Sequence, residues 1–355
     1  MQTYFVREGD TIHKVAQRFQ IRPLELLMAN KHIYNDREYI YPGEQMIIPK
    51  EKTLFKRVSS PYICTMEYGP TDLEEDIKKL KKHFSSIISI QKIGKSVMGK
   101  PIHALVIGSG KKEVFYSAGW HANEWLTSKF LMVFLKQLLQ CYQSNLSFFH
   151  YNIREILNDV KLYIVPMVNP DGVELVQQGI YEEHPFYESV LKINKGARRF
   201  DHWSSNIRGV DLNHQWPAGW EIEAKESPQV PWPRHYSGTA PLTEPEVKAV
   251  YHLTQRHNFA YVLAFHSQGQ VIYWGYKNLE PKKSKEMVER LSLASSYEPI
   301  RTADSDGGYK DWFIQETGKP GFTIEVGVGT NPLPFSAFEE IWSNNSMLAL
   351  EGLIL

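Results

Sequence analysis

Cysteine is nearly absent from this chain. Its 355 residues include only Cys64 and Cys141, far apart and outside any CxxC spacing. That excludes a four-thiolate metal site and gives no basis for a disulfide framework. Net charge is missing as well: 40 Lys and Arg balance 40 Asp and Glu, so no bulk electrostatic pull favours nucleic acid or an anionic membrane. No apolar run reaches the length of a membrane crossing. The start, MQTYFVREGD, has no basic cluster followed by an apolar stretch, so no classical export signal is expected. The expected location is cytoplasmic, or at a spore or cell wall reached by a non-classical route. With 42% hydrophobic residues the chain can bury an ordinary core, as one large or two unequal domains.

Residues 1–49 read as a small unit. "TYFV" is a short strand pattern, Asp10 or Thr11 can cap a helix through Phe19, Pro23 suits the first turn of a second helix through Ala29, and "YPGEQMIIP" is a turn feeding a strand. The order is strand, helix, helix, strand, either as a module or as a fragment of a larger core. "YFVREGDTIHKVAQRF", Asn30 and "YIYPGEQMIIP" resemble a LysM module across the whole segment. The resemblance implies a βααβ domain that binds N-acetylglucosamine-containing glycan, peptidoglycan or chitin, in a shallow groove between the strand-to-helix and helix-to-strand loops. One copy implies modest affinity.

Residues 50–60, "KEKTLFKRVSS" with its flanking Pro61, fit a short linker. From Pro61 to Leu355 strands alternate with helices. Helices are expected at Asp72–Phe84, Trp125–Tyr142, Glu244–Arg256 and Ser284–Ser296. Strands are expected near Ile102–Ile107 and Val114–Ala118 and in "KLYIVPMV", "YVLAFHS", "QVIYWG" and "GFTIEVG". Such alternation implies a mostly parallel or mixed sheet covered on both faces, with its chemistry at the carboxyl ends of strands.

His121 and Glu124, in "WHANEW", follow the apolar strand "VFYSAG". Residues three apart in helical or turn geometry share a face, so an imidazole and a carboxylate can converge on one ion. An isolated HxxE is more often a helix cap or a solvated pair, and further ligands are needed. His266 closes the apolar run "YVLAF" and is the third candidate. Two histidines, one carboxylate and a water form the usual catalytic zinc set. Glu325, at the end of "GFTIEVG", is a carboxylate that burial would penalise by several kcal/mol unless it is paired or beside a metal. It suits the base that takes a proton from water and passes it to a leaving amine.

HxxE, "PMVNPDGVE", "GVDLNHQWP", "YSGTAPLTEPE", "AFHSQGQVIYW" and "GGYKDW…GFTIEVG", in this order, are similar to the zinc metallocarboxypeptidase family over Pro61–Leu355. The resemblance implies a three-layer α/β/α sandwich around a mixed sheet. It also implies one zinc ion on His121, Glu124 and His266, with Glu325 as general base and acid.

The chain departs from the family at its carboxylate clamp. Where relatives carry asparagine and arginine, this sequence has Asn213–His214, and imidazole cannot supply the two-pronged guanidinium grip. Arg208 is the choice for the arginine that polarises the scissile carbonyl, with Arg198 and Arg199 open. Ala303 falls where relatives have a mobile tyrosine, so Tyr309 substitutes or nothing does. Lys310 stands where the specificity pocket is lined; a surface lysine is its plain reading, and an inward one would favour an acidic substrate side chain.

The altered clamp, the glycan module and a Lys310 able to meet the distal carboxylate of diaminopimelate together resemble peptidases of the γ-D-glutamyl-diamino acid type. These cut γ-D-Glu from meso-diaminopimelate in peptidoglycan stem peptides or muropeptides. A conventional zinc carboxypeptidase, a deacylase on the same fold, and a wall-binding protein with a decayed peptidase domain stay open as other readings.

Overall fold

Apolar side chains at Tyr4, Val6, Ile12, Val15, Leu26, Ile40, Met46 and Ile48 close a core of their own at the amino end. In this computed structural model, residues 2–19, 21, 23–33, 38–49, 66–149, 151–303 and 305–355 are described, so the expected linker at 50–60 lies outside them. Strand β1 (Gln2–Phe5), helices α1 (Ile12–Arg18) and α2 (Pro23–Ala29) and strand β2 (Gln45–Ile48) give the expected βααβ order, with β1 antiparallel to β2. Thr11 caps α1 by accepting from Lys14 N at 3.2 Å, while Asp10 is spent on Arg7 N, Tyr4 and Arg18. Asn30 ties the end of α2 to β2: its Nδ2 donates to Leu26 O and Ile47 O, and its Oδ1 accepts from Ile47 N at 2.7 Å.

The rest of the chain builds one eight-stranded sheet. Helix α3 (Pro70–Phe84) leads into β3 (Ile88–Lys95), β4 (Pro101–Ile107) and β5 (Lys112–Ser117). Helix α4 (Trp125–Ser144), the hairpin β6 (Ser147–Phe148) and β7 (Tyr151–Asn152), and α5 (Ile153–Asp159) precede β8 (Val160–Val165). Helices α6 (Pro170–Gln178), α7 (Tyr187–Ile193), α8 (Trp220–Glu226) and α9 (Pro245–Arg256) separate β8 from β9 (Tyr261–His266) and β10 (Val271–Tyr273). Then come α10 (Lys283–Ser295), β11 (Glu298–Ile300), α11 (Tyr309–Thr317), β12 (Gly321–Glu325) and α12 (Ala337–Ile354).

The strand order is β11-β10-β12-β9-β5-β8-β4-β3. Pairs β12·β9, β9·β5 and β5·β8 are parallel, while β10·β12, β8·β4 and β4·β3 are antiparallel, so the sheet is mixed. Alternate residues feed two cores. Leu105, Val114, Leu162, Leu263 and Ile324 face one packed by α3, α4, α10 and α12. Ala104, Val106, Phe115, Tyr163, Val262 and Ala264 face the other, under α9 and α11. This is the expected three-layer sandwich. Its central parallel strands β5, β9 and β12 bring their carboxyl ends to one edge of the sheet.

Candidate active site

After β5 the chain must turn sharply. Gly119 does this at φ +62°, and a Cβ there would sit 2.5 Å from Ser128 Oγ and 3.1 Å from Met167 Cα. His121 then caps a short 3₁₀ turn, Ala122–Glu124, that opens into α4. In that turn His121 Nδ1 lies 2.8 Å from Glu124 Oε1. His266, the last residue of β9, brings its Nδ1 to 3.4 Å from His121 Nδ1 and 3.2 Å from Glu124 Oε2. A tetrahedral ion with bonds of about 2.0–2.1 Å holds its ligand atoms about 3.3 Å apart. The three side chains are already at that spacing. Glu124 Oε2 is buried with no hydrogen bond to satisfy it, an expensive state that a cation relieves.

The electrostatics agree. Burial opposes ionisation of His121, yet the carboxylates of Glu124 and Asp211 outweigh it and raise its pKa well above the usual histidine value. Burial would raise Glu124, but His121 and His266 hold it down to about 2. Burial keeps His266 below its ordinary value and therefore neutral, as a ligand must be. The cluster asks for positive charge at its centre, and its donor set of two imidazoles and a carboxylate fits zinc.

Around it lies a cleft of about 380 Å³ lined by His121, Glu124, Asp211, His214, Arg234 and Glu325, among others. Asp211 Oδ1 is 3.2 Å from His121 Nε2, which leaves Nδ1 for the metal and fixes the ring. Asp211 is itself held by the N–H groups of Asn213 at 3.0 Å and His235 at 3.1 Å. Glu325 reaches the cleft because β12 pairs with β9 in the register Glu325↔His266. Burial first, and the Glu124 carboxylate second, raise its pKa well above the usual carboxylate range.

Of the residues read from the sequence, His121, Glu124, His266, Glu325 and His214 meet in this cleft. Asn213 is not among the cleft-lining residues, and its Oδ1 accepts from Tyr309 N at 3.1 Å. His214 is turned toward Glu223, its Nδ1 3.1 Å from Oε1. Three expectations need correcting. Arg208 is half-exposed, reaches Glu244 at 3.5 Å and does not line the cleft. Neither do the alternatives, since Arg198 reaches Tyr187 and Arg199 pairs with Asp201. Tyr309 is a core residue: fully buried among Phe115, Trp120 and Trp216, its hydroxyl bonds Thr254 at 3.0 Å. Lys310 does point inward, but its ammonium is satisfied by Gly275 O at 2.7 Å and by Asp311, so it has no free charge to offer.

Asp211 and Arg234 were missed. Asp211 sits inside "GVDLN", two residues before Asn213, where its side chain caps a 3₁₀ turn; that spacing was a readable signal. Arg234 lies in "PWPRHY", a Pro-rich loop with no periodicity to mark it. Behind His214 a second cavity, about 320 Å³, is lined by Glu223, Glu226, Asp306 and Asp311 with Tyr276 and Lys277. A larger groove of about 580 Å³ between α3 and α4, along Leu80 and Met132, contains none of these groups.

The family model of the zinc carboxypeptidases matches residues 73–347. The chain belongs to the zinc carboxypeptidase family. Zinc is accordingly its metal. The LysM domain model matches residues 4–49. The gamma-D-glutamyl-L-diamino acid endopeptidase 1 of Lysinibacillus sphaericus is 46% identical over 288 residues, 81% of this chain and 72% of that protein. An uncharacterised protein of Bacillus subtilis (strain 168), YqgT, is 39% identical over 283 residues, 79% of this chain and 75% of its own length. Among solved structures, bovine thrombin-activatable fibrinolysis inhibitor superposes with a TM-score of 0.65 at 20% identity, over 81% of this chain and 97% of the other, which speaks for the fold alone. No helix among the described residues is long and apolar enough to cross a membrane.

Proposed function

We propose that this zinc peptidase hydrolyses the γ-D-glutamyl bond to the diamino acid of peptidoglycan stem peptides. The observation that carries the reading is a complete hydrolytic centre beside an altered clamp: His121, Glu124, His266 and Glu325 converge, whereas His214 is drawn onto Glu223. A clamp without a guanidinium at that position penalises less a substrate whose chain continues past the cut. The name of the Lysinibacillus relative points the same way.

His121, Glu124 and His266 would hold the zinc, which when bound would supply the Lewis acidity to acidify a water molecule and polarise the scissile carbonyl. Glu325 takes the proton of the attacking water as the C–O bond forms, and returns it to the nitrogen as the C–N bond breaks. Burial and the Glu124 carboxylate raise its pKa, so Glu325 accepts a proton more readily than an ordinary carboxylate does. Asp211 keeps the His121 ring in place throughout.

The amino-terminal unit, residues 1–49, supports delivery to the wall. Tyr39 and Tyr41, on the loop between α2 and β2, are exposed with ring centroids 4.9 Å apart, a surface on which a sugar ring can stack. Mass spectrometry of products from defined stem tri- and tetrapeptides tests the reading. Release of the diamino acid, or of the dipeptide that begins with it, is expected. Removal of only the terminal alanine of the tetrapeptide, or ready hydrolysis of a blocked dipeptide with a free carboxyl end, would make it a conventional carboxypeptidase.

A further inference from the structure

Arg234 is exposed, lines the cleft beside His121, Asp211 and Glu325, and makes no hydrogen bond or ion pair among the described residues. It is the only lysine or arginine among the cleft-lining residues. The backbone on both sides of it is fixed. Pro233 O accepts from Ser204 N at 2.9 Å and Ser205 N at 3.1 Å, His235 N donates to Asp211 Oδ2 at 3.1 Å, and Tyr236 O accepts from Asp211 N at 2.8 Å. His235 is held at φ 65°, a left-handed conformation that a non-glycine residue keeps only when its surroundings impose it. The loop is thus registered on the aspartate that orients the metal ligand, with its guanidinium unspent.

We propose that Arg234 is the carboxylate anchor of this cleft, gripping an anionic group of the substrate next to the scissile bond in place of the clamp that His214 cannot provide. The inference rests on the peptidase reading above. Asp211, His214 and His235 also bring donor atoms within 4.8 Å of one another, which raises a second cation as the alternative ligand. Two facts favour the anion. The Asp211 oxygens already receive three donors, from His121, Asn213 and His235. The Arg234 charge next door repels a cation, and it acts on His235 directly. A guanidinium offers a planar, two-pronged donor set matched to carboxylate. A γ-D-glutamyl-diaminopimelate bond has such groups on either side: the free α-carboxylate of the glutamyl residue and the carboxylates of the diamino acid.

The test uses the full zinc-loaded protein and three peptides: L-Ala-γ-D-Glu-meso-diaminopimelate, the same peptide amidated at the glutamyl α-carboxylate, and the same peptide amidated on the diamino acid. Binding to the Glu325→Gln protein is measured by calorimetry, with and without Arg234→Ala or Arg234→Lys, so that cleavage plays no part. One of the two amidations is expected to weaken binding roughly ten- to a hundredfold, the scale of a charged hydrogen bond. Arg234→Ala is expected to weaken the unmodified peptide by a similar factor, and the two losses are expected not to add. Arg234→Lys should recover part of the loss. The amidation that cancels with Arg234→Ala identifies which carboxylate is held. Equal weakening of all three peptides by Arg234→Ala, fully additive losses, or no weakening at all overturns the assignment. Turnover of the unmodified peptide by the protein with Glu325 intact is scored separately, and its absence counts against the peptidase reading alone.

Discussion

Replacing Asp211 by asparagine isolates the support of the metal site from its ligands. The aspartate is buried and its carboxylate meets His121 Nε2, Asn213 N and His235 N at 3.2, 3.0 and 3.1 Å. Burial alone would raise its pKa, but His121 and His214 hold it well below the usual aspartate value, so the group is ionised in the fold. Asparagine keeps the shape but has one acceptor oxygen for donors that arrive at both ends. Its NH₂ must therefore face a backbone N–H or the imidazole N–H, and the neutral amide can no longer sustain the basicity of His121. Loss of such an outer partner weakens metal binding about 10- to 100-fold, or about 1.4–2.7 kcal/mol. An unsatisfied buried donor adds a cost of about 1–3 kcal/mol to folding, with or without metal. The two terms separate experimentally. Competition with a chelator of known affinity reads the first, and thermal unfolding of the metal-free protein reads the second. A folded Asp211→Asn protein that binds zinc within twofold of the unsubstituted protein would refute the claim that Asp211 orients His121.

Glu325→Gln should retain zinc, because Glu325 is not among the converging ligands, yet lose roughly two to four orders of magnitude in turnover; near-normal turnover would move the proton relay elsewhere. A chain without residues 1–49 should still cleave small soluble stem peptides while losing retention on insoluble peptidoglycan, and a zinc-loaded but inert truncation would count against two separable units. Glu246 gives a pH signature away from the metal. Burial, with Asp171 and Glu244 adding, pushes its pKa up to about 8 against the hydrogen bond from Val97 N. The folded state therefore holds this proton more tightly than the unfolded chain does. Stability is fully present below the usual carboxylate pKa and is lost as pH rises through about 8. Glu246→Gln cannot ionise, so its melting temperature should gain on that of the unsubstituted protein between pH 5 and pH 9, and parallel curves would refute the assignment.

What could be read from the sequence was whatever strand ends dictate. His121, His266 and Glu325 each follow an apolar run long enough to be a buried strand, and the pairing of β12 with β9 makes Glu325 and His266 neighbours. Strand β3 escaped because it lies at the edge of the sheet, mostly exposed or half-buried, with weak alternation to betray it. Tyr309 was misread for the opposite reason. Tyr309, Trp312 and Phe313 form a helical stripe on α11, and three and four residues apart is core spacing, so the phenol was committed to packing before any role in catalysis. Lys310 follows it on the same helix, and a buried ammonium at that depth needed the carbonyl and carboxylate it found.

Arg208 and Arg234 show where linear reading stops. Both are arginines in irregular chain, 26 residues apart, one just before the "GVDLN" motif and one well after it. Nearness in sequence is a poor guide once the backbone leaves helix and strand, because a loop points its side chains wherever its own hydrogen bonds send them. Asn206 accepts from the N–H groups of Arg208 and Val210 and donates to Glu244, which carries Arg208 toward that carboxylate and away from the metal. Asp211 does the reverse for the later loop, since its backbone and side chain seize Tyr236 and His235 and so bring Arg234 to the cleft. One aspartate thus sets both the ring of a metal ligand and the position of the free guanidinium. A substitution there should disturb metal affinity and anion recognition together, whereas Arg234→Ala should disturb only the second.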